Sequence, residues 1–470
     1  MKPFITPFRR LGTGAAMAAA MFMLAACNSD KILKVTDPDI INPNDIGTPD
    51  AAEALRIGAL GRLSQETSGS GANANNDSPI LLGGLLADEW RSADTFNERD
   101  ETDKRSIQVT NGVNDASYRT VGRARLAAHQ ALAALTKYSP EQKGKIAQMY
   151  FILGFSENLA GETYCNGVVF SDASSGSLDY GAPVSDSAAF TLAIVHFDSA
   201  LALATGTDAI STQAKFAAQV GKGRALINLK RYSDAAAAVA GVPTSFQFLI
   251  THDQATISNQ IWSLNISGKR YTVGDKDGGN GLPFVSAKDP RLPTCSSTVN
   301  AATCKAIGVT KSVGFDSQTP LIAQLIWTTP DAPVAIVTGI EARLIEAEAA
   351  LQAGNNATWL ATLNTLRGSS LTSAGTGGVS GLGPLTDPGT QTGREDLMFR
   401  ERAFWMFGTG HRLGDLRRLI RQYQRSPENV FPTGTYNPGK GGNFGTDVNI
   451  PVPQSETNNS MFTACTDRKA

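Results

Sequence analysis

The sequence predicts a mainly α-helical protein, a scaffold of tetratricopeptide-like helix pairs with long irregular loops on one face. Three observations predict it. Small and large apolar residues recur at helical spacing over long windows, while convincing strands are few. Three segments match the small–large–small pattern of a tetratricopeptide helix pair, in which small residues let helices approach and large ones fill the gap. Finally, a stretch of about eighty-five residues, Ser245–Pro330, has no helical period, which is too long for an ordinary connection.

The 470 residues exceed one ordinary core, so two sub-cores or one large helical body are expected. With 42 Lys+Arg against 43 Asp+Glu, the chain lacks the excess positive charge of a nucleic-acid binder. Beyond the N-terminus no apolar run of roughly 18 residues suggests an internal membrane span.

Residues 1–26 read as a signal peptide: Lys2, Arg9 and Arg10 without an acid, then an apolar run over Leu11–Ala26. The run ends Leu24-Ala25-Ala26-Cys27, which resembles a bacterial lipobox and makes Cys27 the lipidation site. Two or more acyl chains there would hold where one would not, at ~0.8 kcal/mol per buried CH₂. Asn28 rather than Asp after the cysteine favours the outer over the inner membrane.

Residues 27–50 form an extended lead-in with prolines at 38, 43 and 49. The N-terminal helical region, 51–244, opens with a helix over Ala51–Ser64, a polar loop at Gly69–Asn76 and a helix over Leu81–Asp88. The charged stretch Glu89–Arg105 reads as a surface loop. Helices follow at Tyr118–Leu135 and Ala147–Tyr164. Ala193, Phe197 and Ala200 carry the first repeat spacing. Gly223, Leu226, Tyr232, Ala235 and Val239 carry a pair that turns at Lys230-Arg231. Residues 245–330 form the irregular insertion. The C-terminal region, 331–470, contains the third pair, with Ala347, Ala350, Gly354, Trp359, Leu363 and Leu366. Its irregular stretches are Gly368–Gly393 and Pro427–Pro453.

After cleavage four cysteines remain, and in an exported protein an even number reads as disulfides. Cys295 and Cys304 are close in sequence and favour a local bridge, which leaves Cys165 with Cys465. No CxxC or nearby histidine supports a metal site. The chain has no HExxH, no G-x-S-x-G elbow and no Walker lysine, so neither catalysis nor a cofactor is expected. His129 and His196 fall on helices as packing residues. Glu341, Glu346 and Glu348 around Arg343 read as an ion-paired helix surface. Asp275-Lys-Asp277-Gly-Gly-Asn280-Gly lacks the closing Glu of a calcium loop.

Aromatic residues outside the helices are the better lead, because a broad apolar face with a polar edge suits stacking on a sugar ring. The candidate ligand-binding residues are Trp90, with Asp88 and Arg91 beside it, and Trp262, Tyr271 and Trp327. Trp359 and Trp405 lie on apolar helix faces and are expected in the core.

Several segments together resemble the SusD/RagB family of nutrient-binding lipoproteins. They are the lipobox, the helix at Tyr118–Leu135, the run Gly339-Ile-Glu-Ala-Arg-Leu-Ile-Glu-Ala-Glu-Ala349 and the loop Asp289-Pro-Arg-Leu292. The most specific is Arg400-Glu-Arg402 followed by Gly410-His-Arg-Leu-Gly-Asp-Leu-Arg-Arg418, with Asn449-Ile-Pro-Val-Pro453 near the end. Thr409 departs from the family's usual Glu before Gly410. Arg412, Asp415 and Arg417 are read as structural, forming helix-end ion pairs. The resemblance implies four tetratricopeptide-like pairs carrying a loop-built ligand face. It also implies an outer-membrane lipoprotein that captures oligosaccharides or other nutrients for a SusC-like TonB-dependent transporter. The competing expectation is an assembly scaffold that holds another envelope protein.

Overall fold

The computed structural model describes residues 47–70, 77–175, 177–372, 379–437 and 439–465. Cys27, the leader and most of the lead-in lie outside them, as do Gly71–Asn76 of the polar loop.

Helix α1 (Pro49–Thr67) starts where Thr48 Oγ1 accepts the Ala51 N–H and Pro49 occupies the first turn, where its missing N–H costs nothing. Helices α2 (Pro79–Leu86) and α3 (Asn97–Asp103) precede the long α4 (Gly112–Tyr138) and α5 (Lys143–Thr163). Then come α6 (Asp186–Leu203), α7 (Ala209–Asn228) and α8 (Tyr232–Val239). Beyond the irregular insertion lie α9 (Gly339–Gln352), α10 (Asn356–Gly368), α11 (Gln391–Trp405) and α12 (Arg412–Arg421). Helix α1 packs on α4, α4 on α5, and the contacts continue through α6, α7, α8 and α9 to α10, one continuous stack. This is the mainly α architecture that the repeat spacing predicts.

The repeat residues explain the close packing. Phe197 is buried on α6 against two glycines: a Cβ on Gly154 of α5 or Gly221 of α7 would lie 2.9 or 2.5 Å from its ring. Gly223 plays the same part within the α7–α8 pair, where a Cβ would sit 2.5 Å from Val239. The turns fall at Lys230 and Gly354, both in the left-handed region with φ of 61° and 73°. By length and apolar composition alone α6 could cross a membrane, which differs from the expectation of no internal span. Its Ala–Phe face is covered by α5 and α7, and Asp186, His196 and Asp198 interrupt it.

Helix α12 pins the stack to the C-terminal region. Arg417 donates to the carbonyls of Gly161, Glu162 and Tyr164 and to Asp186 at 2.6 Å. Asp415 accepts from Arg402 and Arg418, each at 2.8 Å, and Arg418 also pairs with Glu348. Arg412 grips Asp88 through two bonds of 2.6 and 2.8 Å. The sequence reading of Arg412, Asp415 and Arg417 as structural ion-pairing residues agrees with these contacts, all of which are buried. The expected glutamate surface on α9, in contrast, changes. Only Glu346 pairs with Arg343; Glu348 is buried against Arg418 and Tyr423, and Glu341 faces His411. Buried charge is tolerated where partners supply directed hydrogen bonds, as Arg418 and Tyr423 do for Glu348. The Asp-Pro-Arg loop joins this system: Arg291 bonds both Asp289 and Glu401, and Arg367 bonds Glu401 as well.

Short antiparallel ladders order the loops. Strand β1 (Trp90–Ser92) pairs with β3 (Tyr271–Val273), β2 (Gln247–Ile250) with β6 (Val334–Thr338), and β4 (Thr294–Cys295) with β5 (Ala323–Gln324). A main core fills the helix stack, a second lies among α9, α10 and α11 with Trp359 and Trp405, and a small third surrounds Cys295 and Cys304. Both disulfides form in the expected pairs, Cys165–Cys465 and Cys295–Cys304. Glu89–Arg105, expected as a surface loop, instead holds β1 and α3 and buries Asp94, Arg99, Asp103 and Arg105. Arg99 pairs with Asp77 and Asp94, while Arg105 donates to the carbonyls of Pro432 and Asp447 and has the Glu428 carboxylate 4.0 Å away.

Candidate functional site

The β1–β3 ladder brings residues nearly two hundred positions apart into one loop face. Trp90 lies opposite Val273, Arg91 opposite Thr272, and Ser92 opposite Tyr271. The ladder continues as Ala93 N–H donates to the Arg270 carbonyl at 2.8 Å. A third segment crosses its end: Phe315 N–H donates to Lys269 O at 2.8 Å, and Asp316 N–H to Ala93 O at 3.0 Å. Gly314 makes this crossing close, since a Cβ there would lie 2.4 Å from that of Ala93.

The crossing raises one aromatic ring out of the surface. Phe315 is 49% exposed, and the guanidinium of Arg270 lies 3.9 Å from its ring centroid. Arg270 is also 5.1 Å from the half-buried Phe96 ring, so its planar head sits between two aromatics. The head is fixed by Asp94, which accepts from Arg270 Nη1. Asp94 is in turn held by Arg99, which binds Asp77 through two further bonds of 2.8 and 2.6 Å. The result is a rigid platform with an open aromatic ring. Such a ring loses little side-chain freedom when a flat ligand stacks on it.

Beneath the platform, carboxyl groups outnumber their cations. Asp277 pairs with Arg91 and Asp88 with Arg412, whereas Glu89 and Asp103 form no ion pair with an arginine among the described residues. Burial pushes Glu89 up to about 8, against the hydrogen bond it accepts from Gly408 N–H. Burial and the neighbouring charge of Asp277 push Asp103 up to about 7. Asp103 accepts from Ser92 N–H and from the Tyr436 hydroxyl.

The ligand residues expected from sequence are placed differently. Trp90 is 1% exposed, and Tyr271 and Trp327 are 0% exposed. Trp90 packs at 4.9 Å from Phe407, the Tyr271 hydroxyl donates to Asp77, and Trp327 is clasped through its backbone by Gln324. Trp262 is half-buried against the third core. Asp88 and Arg91 are spent on Arg412 and Asp277. Trp90, Tyr271, Trp327 and Asp88 are thus closed off from solvent, which corrects the expectation for these four, while Trp262 and Arg91 keep part of their surface exposed. Apolar aromatics in irregular segments are still the cheapest filling for the space under loops. Phe315, Phe96 and Arg270 were missed by the sequence reading. The available signal was the turn Gly314-Phe315-Asp316-Ser317, in which Ser317 takes a left-handed φ of 61° and Asp316 accepts the N–H groups of Gln318 and Thr319.

Other features are internal. Asp275 accepts from Val285 and Ser286, so the calcium-like loop spends its first carboxylate on the chain itself. His196 bonds Glu157 at 2.7 Å. Two of several cavities among the described residues stand out. One, of about 630 Å³, lies against the Cys295–Cys304 hairpin with Leu292 and Val299 in its wall. The other, of about 560 Å³, lies between α8 and α9 and is rimmed by Lys230, Asp234 and Gln352.

Neither a protein-family model nor a curated protein matches the sequence. Solved structures do match. The chain is similar to a SusD-like protein from Bacteroides fragilis, with a TM-score of 0.61 at 12% identity, over 91% of this chain and 98% of that one. It is similar to a SusD-like carbohydrate-binding protein from the same species, with a TM-score of 0.61 at 14% identity, over 88% and 98% of the two chains. A third is surface glycan-binding protein A from Bacteroides thetaiotaomicron, solved in complex with laminarihexaose. There the TM-score is 0.60 at 12% identity, over 89% and 99%. The chain has the SusD-like fold.

Proposed function

We propose that the protein is a non-catalytic outer-membrane lipoprotein that captures oligosaccharides on its loop face and passes them to a TonB-dependent transporter. The observation that carries this reading is the exposed Phe315 ring, held by Arg270 on the loop face of a SusD-like fold. A hydroxyl-rich ligand has little apolar volume to bury, so affinity must come from a stacked ring and a few oriented polar groups. Solved relatives of the same fold are carbohydrate-binding proteins, one of them bound to laminarihexaose. The lipobox supplies the anchor at Cys27 and the outer membrane as its location. A transporter partner needs only modest affinity here, since capture must be followed by release.

The test is calorimetric titration of the wild type and Phe315→Ala against a glycan panel that includes laminarihexaose. Loss of a stacking ring should weaken binding by roughly 1–3 kcal/mol with the melting temperature unchanged. Glycan binding that Phe315→Ala leaves intact removes the platform from the site. For the anchor, Cys27→Ala should release the protein from the outer-membrane fraction; retention there overturns the lipidation reading.

A second reading is an assembly scaffold, favoured by the groove between α8 and α9. Glycan panels without a hit, together with an envelope protein cross-linked at Lys230, would support it.

A further inference from the structure

We infer that Lys440 is a positioning residue for the Phe315 platform, the cation that holds the turn 314–319 against α3 and the end of β1. The inference rests on the platform as a glycan site, and it names a residue more than a hundred positions from the nearest platform side chain.

Lys440 sits in the C-terminal loop, which the Thr435–Asn443 bridge and the bond from Tyr436 N–H to Gly442 O fold into a compact turn. Its side chain is 9% exposed. The ammonium donates to Asp100 Oδ1 at 2.5 Å and to the Asp94 carbonyl at 2.8 Å, with Ser92 Oγ and Asp316 Oδ2 each at 3.4 Å. Those four groups belong to three segments at the platform. Asp100 is on α3, Ser92 and Asp94 are at the end of β1, and Asp316 follows Phe315. An ammonium has three donors on a tetrahedral centre, so it can serve acceptors that converge from different directions.

The charges fix the consequence. Around the ammonium lie Asp100, Asp316 and the backbone of Asp94, while the Asp94 carboxylate is spent on Arg99 and Arg270. Without Lys440, Asp100 and Asp316 would face each other with no cation between them, and the turn carrying Phe315 would be driven outward. The two bonds that seat this turn, from Phe315 N–H to Lys269 O and from Asp316 N–H to Ala93 O, would then open more often.

The experiment uses the full protein and two readouts. Amide hydrogen exchange at Phe315 and Asp316 should accelerate at least about tenfold in Lys440→Met while exchange in α5 stays as in the wild type. Unchanged exchange at these two amides overturns the inference, whatever the ligand. Binding of laminarihexaose, or of the panel glycan held most tightly, should weaken about tenfold in Lys440→Met and show no further loss when that change is added to Phe315→Ala. An equal loss in both backgrounds means that Lys440 acts elsewhere and rejects the positioning role. Wild-type affinity in Lys440→Met rejects it too. If Phe315→Ala binds like the wild type, the glycan platform fails and the exchange result alone decides the role of Lys440. Should Lys440→Met not fold, Asp316→Asn removes one arm of the same contact and keeps an acceptor for the turn; faster exchange at Phe315 is again expected, and no change again overturns it.

Discussion

Glu66 on α1 is wholly buried, accepts one hydrogen bond from Ser156 Oγ, and leaves its second oxygen without a hydrogen-bond partner among the described residues. Burial pushes its carboxyl from 4.5 up to about 8, against that hydrogen bond and the charge of Arg125. Between these values the folded protein keeps a proton that the unfolded chain has lost. Stability therefore falls as pH rises from about 4.5 to about 8 and levels off beyond it. Glu89 contributes with the same sign. Glu66→Gln keeps the shape and removes the ionisation, so its melting temperature should drop less than the wild type's between pH 5 and pH 9. Scanning calorimetry at both pH values checks this, and parallel curves for the two proteins would reject it. The same residue-level logic explains Asp103, whose carboxyl is surrounded by donors but touches no cation.

At the level of elements, the stack depends on glycines facing aromatic rings. Gly221→Ala would put a methyl 2.5 Å from the Phe197 ring, and overpacking of this kind costs about 1–3 kcal/mol. Urea unfolding should show the loss, and a neutral result would mean that α6 and α7 separate freely. The C-terminal helix α12 is held differently, by charge. Arg417→Met abandons Asp186 and three backbone carbonyls, and breaking a buried pair costs on the order of 3–5 kcal/mol. Its expected effect exceeds that of Gly221→Ala, which the same urea series can rank. Helix α12 touches α2 and α5, so its loss should loosen the N-terminal region as well as its own.

For the whole molecule, the Cys165–Cys465 bridge links positions 300 residues apart, while Cys295–Cys304 spans 9. By loop-closure entropy the long bridge contributes about 6 kcal/mol at most, against about 2.5 for the short one. Backbone bonds already seat the tail beside Cys165: Cys165 N–H donates to Ile450 O and Ile450 N–H to Thr163 O. Cys465→Ser should therefore leave a folded protein that is several kcal/mol less stable, with the loss larger than for an open short bridge. Chemical unfolding of the single-bridge variants measures the order; equal losses would reject the loop-length ranking.

Much of this was legible along the chain because it depends on local pattern. Helix pairs announce themselves through the spacing of Ala193, Phe197 and Ala200, since helical period is a property of neighbours a few residues apart. Cysteine pairing followed from an even count and one short separation. The loop face was not legible for the opposite reason. Trp90 stands among Asp88, Glu89 and Arg91 and looks exposed, yet Asp88 finds Arg412 and Arg91 finds Asp277, partners far along the chain that let the whole group turn inward. Phe315 carries no such signal yet keeps its ring open to solvent, because the turn that bears it crosses the β1–β3 ladder and stops on Arg270. Local periodicity determined the helices; whether a loop side chain faces water was decided by which distant charge neutralised its neighbours, because burying a charge is tolerable only beside its partner.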